Sequence, residues 1–77
     1  MTIKVLVFGQ ISEIISQTEV EFVSLKNTEE LSVELSKRYP KLTQVKYAIA
    51  VNKKIVVQNT ILSDNDIVAL LPPFSGG

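Results

Sequence analysis

The sequence has 77 residues, enough for one domain, and it contains no cysteine and no histidine. Disulfides and zinc or iron–sulfur sites built on these residues are therefore excluded, and the lack of a thiol or imidazole disfavours independent catalysis. Eight basic and eight acidic residues give a net charge of zero, which lends little support to nucleic-acid binding. No apolar run is long enough for a signal peptide or a membrane span, so we expect a soluble cytoplasmic domain.

The N-terminal part predicts two strands joined by a short helical segment. Residues 3–8 are rich in β-branched and aromatic side chains, which predicts a first strand that Gly9 ends. Isoleucines in residues 11–16 recur at spacings of three and four, which predicts one or two helical turns. Residues 19–25 alternate apolar and polar side chains, so we expect a second strand that pairs with the first as a hairpin.

The main helix is predicted between this hairpin and Pro40, which ends it. Asn27 or Thr28 can cap its N-terminus, and Asn27 and Glu30 have the spacing of a capping box. Acidic residues in the first turn and basic residues in the last turn match the helix dipole. Three residues at four-residue spacing predict its buried stripe: Leu31, Leu35 and Tyr39.

Three further strands are predicted in the second half of the chain, at residues 47–52, 55–57 and 67–71. Residues 52–54 predict a turn between the first two of these strands. Asn65 lies in an Asp-Asn-Asp turn before the last strand and is expected to adopt a left-handed conformation, which asparagine tolerates well.

The predicted order is β-β-α-β-β-β, in which one amphipathic helix covers one face of a small mixed sheet. This two-layer α+β order fits a ubiquitin-like β-grasp fold, with the last strand beside the first in the middle of the sheet. The run IVALL at residues 67–71 suits a central strand because it is apolar on both faces. We therefore expect a β-grasp domain at residues 1–71 and an extended, flexible C-terminal tail at residues 72–77.

The predicted tail is stiff where it begins and narrow where it ends. Pro72 and Pro73 fix φ and favour an extended start, and six extended residues reach about 20 Å. Gly76 and Gly77 have no side chains, so a partner's walls can close around the backbone. The carboxylate of Gly77 is a poor electrophile, and it must become an acyl-adenylate before a nucleophile can attack it. Terminal glycines alone are a weak signal, since frayed ends are common.

One face of the first strand is expected to be exposed. Lys4 shares this face with Leu6 and Phe8, which indicates that the face points to solvent. Leu71 on the neighbouring strand and Ile55 would join them, and an exposed apolar patch of this kind suggests a partner site. The alternative is that the sheet curls and buries these residues.

Three segments together resemble the MoaD type of ubiquitin-like sulfur carrier, the family of molybdopterin synthase small subunits. They are VLVFGQI at residues 5–11, AVNKKIV at 50–56 and LSDNDIVALLPPFSGG at 62–77. The most specific part is PP-x-x-GG after a D-x-D-x-V-A strand. Asn65 stands where the family often has glycine, and Phe74 where it often has an aliphatic residue. Sulfur carriers for thiazole synthesis also end in Gly-Gly but usually lack the Pro-Pro step, so that pathway ranks second.

The resemblance implies a sulfur carrier for molybdenum cofactor biosynthesis that is not catalytic alone. A ubiquitin-activating-like adenylyltransferase, using ATP and magnesium that the carrier itself does not bind, would adenylate Gly77. A sulfur donor protein would then supply the sulfur of a thiocarboxylate, with no further processing of the chain end. The other tail residues would insert into the large synthase subunit: Pro72, Pro73, Phe74, Ser75 and Gly76.

In the family, that sulfur goes to cyclic pyranopterin monophosphate, and two carriers and two large subunits form a heterotetramer. The resemblance also implies that partners dock on the outer face near the tail, at the patch of Leu6, Phe8, Ile55 and Leu71. A different class of function stays open, in which the protein is a ubiquitin-like modifier conjugated to lysine or an interaction module with an idle tail.

Overall fold

A computed structural model describes residues 2–72 of the chain; the remaining tail residues, Pro73, Phe74, Ser75, Gly76 and Gly77, lie outside the described part, as does Met1. The described elements are, in chain order, β1 (Thr2–Val7), α1 (Gly9–Ile15), β2 (Glu19–Val23), α2 (Thr28–Arg38), a 3-10 helix (Pro40–Gln44), β3 (Ala48–Val51), β4 (Lys54–Val56) and β5 (Ile67–Leu71).

The five strands form one mixed sheet in the order β2-β1-β5-β3-β4. β5 is parallel to β1, and the other neighbouring pairs are antiparallel. The last strand therefore lies beside the first in the middle of the sheet, as the sequence predicts. This topology, with helices packed on one face, confirms the α+β β-grasp fold.

The core lies between the inner face of the sheet and the helices. Alternate residues of the two central strands are buried, with Val5 and Val68 paired in register at 0% exposure. The helices contribute buried aliphatic side chains to the same cluster: Ile11, Ile15, Leu31, Leu35 and Leu42. Because the helices cover only the inner face, the other face of the sheet, called the outer face below, is left for other contacts.

The N-terminus of α2 is capped as predicted, with one difference in detail. The side-chain oxygen of Asn27 accepts a hydrogen bond from the backbone N–H of Glu30 at 2.8 Å. The Glu30 carboxylate accepts from the backbone N–H of Lys26 at 2.8 Å, one residue before the position a capping box predicts. Thr28 is not the cap; it is buried, and its hydroxyl accepts from the backbone N–H of Thr60 at 2.9 Å.

Several predicted strand ends are wrong by one or two residues. β1 ends at Val7, so Phe8 is the residue before α1 rather than part of the strand. β2 ends at Val23 because Ser24 has a φ of 62°. The turn between β3 and β4 has two residues, Asn52 and Lys53, both with positive φ, so β4 begins one residue earlier than predicted.

Two predicted local features are confirmed, and one element was not predicted. Asn65 has a φ of 69°, in the left-handed region, and α1 forms where the isoleucine spacing predicts helical turns. Pro40 follows α2 as predicted, but it also begins the 3-10 helix, which buries Leu42. Proline suits this first helical position because its fixed φ is already helical.

Candidate docking face and tail base

An apolar strip crosses the outer face of the sheet. The strand registers place its four residues side by side, from β1 to β4: Leu6, Ala69, Ala50 and Ile55. Ile55 is 53% exposed, whereas Ala50 is only 4% exposed and yet does not belong to the core cluster of the inner face. The two alanines leave the middle of the strip without bulky side chains, so a partner can approach the strands closely there.

The strip continues to an apolar corner where β5 ends. Val7 of β1 pairs with Leu70 of β5, so the next residues, Phe8 and Leu71, lie at the same end of the sheet. Phe8 is 46% exposed and Leu71 is half-buried. The tail begins directly at this corner, since Pro72 follows Leu71.

Pro72 at the base of the tail lies near Gly9. A Cβ atom built on Gly9 would be 3.7 Å from the Cγ atom of Pro72, which is ordinary van der Waals distance. Gly9 has a φ of 56°, which glycine adopts without strain. The residue was predicted only to end the first strand, and no local pattern shows that it lies next to a proline 63 positions later (72 − 9).

Charged residues border the other side of the outer face. Lys4 of β1 and Glu19 of β2 form an ion pair at 3.7 Å, and Glu21 pairs in register with Lys4. Both members of the ion pair are partly exposed, so the pair adds little to stability. The outer face is therefore divided into a charged border, formed by β2 and Lys4 of β1, and an apolar strip that runs from Leu6 of β1 across β5 and β3 to β4.

A cavity lies between the N-terminal half of α2 and the β3–β4 hairpin. It has a volume of about 510 Å³, and Ser32 and Tyr47 are among its lining residues. Burial raises the pKa of the Tyr47 hydroxyl above the ordinary value of 10.0, although a hydrogen bond with Ser32 lowers it in part. The Tyr47 hydroxyl therefore stays protonated near neutral pH and cannot serve there as a general base.

The described residues contain neither a cluster of metal-binding side chains nor a helix that could span a membrane. Within residues 2–72, no group of three or more His, Cys, Asp or Glu side chains is placed to hold a metal ion. None of the helices in that range is long and apolar enough to cross a membrane.

The structure brings the four predicted patch residues, Leu6, Phe8, Ile55 and Leu71, to the outer face or to its corner next to Pro72. The exposure of Phe8 and Ile55 shows that the sheet does not curl to bury them. Their binding to a partner remains a prediction. The predicted roles of Pro73, Phe74, Ser75, Gly76 and Gly77 fall outside the described residues.

A protein-family model and a relative of known function both match nearly the whole chain. Residues 5–77 match the model of the ThiS family. The molybdopterin synthase sulfur carrier subunit of Mycobacterium tuberculosis is 34% identical over 80 residues, which cover 97% of this chain and 96% of that protein.

Two solved structures are also similar to this chain over nearly its whole length. A chain in the complex of subunits 1 and 2 of molybdopterin-converting factor from Helicobacter pylori is 30% identical, with a TM-score of 0.75 and full coverage of both chains. Small archaeal modifier protein 1 from Methanosarcina acetivorans has the same fold, with a TM-score of 0.85 at 24% identity, covering 99% of this chain and 96% of that one. The family model and the curated relative each span nearly the whole chain, and the chain therefore belongs to the MoaD/ThiS family of sulfur carriers.

Proposed function

We propose that this protein is the sulfur carrier subunit of molybdopterin synthase. The observation that carries this proposal is the 34% identity, over 97% of the chain, to that subunit of Mycobacterium tuberculosis. The likeness to the two-subunit converting factor of Helicobacter pylori supports a large synthase subunit as the partner. In the complete synthase, two carriers and two large subunits form a heterotetramer.

The proposed chemistry takes place at the carboxyl group of Gly77. An activating enzyme, which binds ATP and magnesium, transfers AMP to this carboxylate and releases pyrophosphate. The outer sulfur of a persulfide on a donor protein then attacks the acyl carbon and displaces AMP. A thiol attacks the donor sulfur of the resulting acyl disulfide, which releases the thiocarboxylate and leaves the donor in a disulfide with that thiol. Dividing the transfer into covalent steps replaces one difficult reaction with easier ones.

The thiocarboxylate then delivers its sulfur to cyclic pyranopterin monophosphate, held by the large subunit. Five residues separate Pro72 from the chain end, and when extended they span about 17 Å. The outer face can therefore dock on the surface of the large subunit while the chain end reaches a buried site. The apolar strip and corner would provide the docking contacts, and the tail would provide the reactive group.

If the activating enzyme and the large subunit both bind the apolar strip, one carrier cannot bind both at once. The carrier then has to leave the activating enzyme before it delivers sulfur, and the two partners compete for it. Modest affinity for each partner suits such an exchange, since residence times vary with affinity.

Reconstitution tests the proposal directly. Carrier that bears the thiocarboxylate is mixed with the cognate large subunit and cyclic pyranopterin monophosphate, and molybdopterin is measured. We expect product from the full chain and none from a chain that lacks Gly77, although the truncated chain still folds and docks. Product from the truncated chain would refute the proposed role of the tail.

The same preparation distinguishes the other functions of the family. Sulfur incorporation into thiazole by a thiazole synthase, with no molybdopterin formed, would assign the carrier to thiamine synthesis. A ladder of adducts on lysine residues of other proteins would assign it as a modifier. Either result in place of molybdopterin formation would overturn the proposal.

A further inference from the structure

Gly9 and Pro72 are close neighbours, and the proposed chemistry does not by itself require this. Gly9 begins α1 with a φ of 56°, and a Cβ built there would lie 3.7 Å from Cγ of Pro72. Pro72 is half-buried, and it is the last described residue before the proposed reactive part of the tail. The space that a side chain at position 9 would enter is therefore bordered by the ring of Pro72, near the junction of β1 and α1.

The junction of β1 and α1 is fixed on one side by the sheet and on the other by the packing of α1 on the core. β1 pairs with β5 through four consecutive residues, up to Val7 with Leu70. On the other side, the Ser12 hydroxyl donates to the Gly9 carbonyl at 2.6 Å, and α1 is anchored by the buried side chain of Ile11. A segment fixed by a central strand and by a helix packed on the core makes a rigid support for whatever lies on it.

We propose that Gly9 is a positioning residue for sulfur transfer, because its backbone supports the ring of Pro72 and so sets the direction in which the tail leaves the domain. The inference rests on the proposed function. Pro72 has a fixed φ, so holding its ring also orients the next peptide unit. An error in direction at the base would be carried along the five residues that follow Pro72, which span about 17 Å when extended.

Two substitutions at Gly9 separate this role from a purely structural one. Gly9→Ala adds only a Cβ, for which the structure has ordinary space, but alanine is strained at positive φ. Gly9→Asn tolerates positive φ better, but it adds three further heavy atoms next to the ring of Pro72. Alanine should therefore destabilise the fold more than asparagine, whereas asparagine should displace the tail more than alanine.

The experiment measures stability and transfer on the same proteins. We expect the melting temperature to fall by about 4–16 °C in Gly9→Ala and by less in Gly9→Asn. For sulfur transfer to the large subunit, we expect kcat to fall roughly 10- to 100-fold in Gly9→Asn and much less in Gly9→Ala. The KM for carrier should change little in either variant, because the apolar strip is untouched.

A second pair of variants tests the contact from the other side. Pro72→Ala removes the ring that Gly9 supports, so Gly9→Asn should have little further effect on kcat in that background. If kcat follows melting temperature across the variants, or if the effects of Gly9→Asn and Pro72→Ala simply add, the inference is overturned. Failure of the wild-type carrier to transfer sulfur would instead refute the proposed function on which the inference rests.

Discussion

Replacing Ile55 with lysine should weaken docking far more than it weakens the fold. Ile55 ends the apolar strip on β4, where it pairs in register with Ala50. The substitution places a charge within the proposed contact with the large subunit, at the β4 end of the strip, where it would have to lose water on binding. Because 53% of Ile55 is exposed in the free protein, the lysine ammonium can reach solvent there without disturbing the core.

The two effects can be estimated separately. Full burial of an isoleucine stabilises a fold by about 1.5–3 kcal/mol, so the buried half of Ile55 contributes about 0.7–1.4 kcal/mol. For a domain of this size, that loss lowers the melting temperature by about 3–10 °C. An ammonium group that loses its water in an apolar contact without a charged partner costs about 2 kcal/mol or more, so the Kd should rise at least about 30-fold.

A matched control exists on the opposite side of the molecule. Val33 is also aliphatic and β-branched and is 50% exposed, but it lies on the face of α2 that points away from the sheet. Calorimetric titration with the cognate large subunit should give an unchanged Kd for Val33→Lys and a much weaker one for Ile55→Lys. Equal losses of affinity in both variants, or no loss in either, would refute the docking surface.

Three further predictions use other contacts. Phe8→Lys at the apolar corner should also weaken binding of the large subunit more than it lowers stability, and a variant that is destabilised but binds normally would show that Phe8 serves only the fold. Asn27→Ala should lower the free energy of unfolding in urea by about 0.5–2 kcal/mol, whereas Asn27→Asp should keep most of it, since aspartate retains the acceptor for the Glu30 N–H. Burial raises the pKa of Tyr47 in the folded protein above 10.0, so the unfolded chain loses this proton first and the free energy of unfolding should fall as the pH rises above about 10. Tyr47→Phe should remove part of that fall, and an unchanged dependence of stability on pH would contradict the raised pKa of Tyr47.

Local rules predict most of the fold. The strand at residues 67–71 has the bounds that its apolar run predicts, and its central place follows from being apolar on both faces. The positive φ of Asn65 and the cap at Asn27 depend on residues next to them in the chain. Such features can be predicted from sequence because the interactions that fix them are local.

Contacts between distant segments could not be predicted in the same way. Alternation along β1 places Phe8 on the face of Lys4 and Leu6, but the left-handed turn at Gly9 takes the chain out of the strand. Thr28 has the features of a helix cap, yet its hydroxyl accepts a hydrogen bond from the backbone N–H of Thr60, a residue that only the complete fold brings close. These outcomes depend on packing partners that a single sequence pattern does not identify.

If sulfur travels on the carboxyl group at the end of this chain, intact mass spectrometry detects it directly. The carrier is incubated with ATP, magnesium, the activating enzyme and a sulfur donor, and its mass is compared with that of a sample without ATP. We expect a gain equal to the replacement of one oxygen by sulfur, located at Gly77 by fragmentation. An unchanged mass with an enzyme that activates a known carrier in parallel would contradict the proposed role of Gly77.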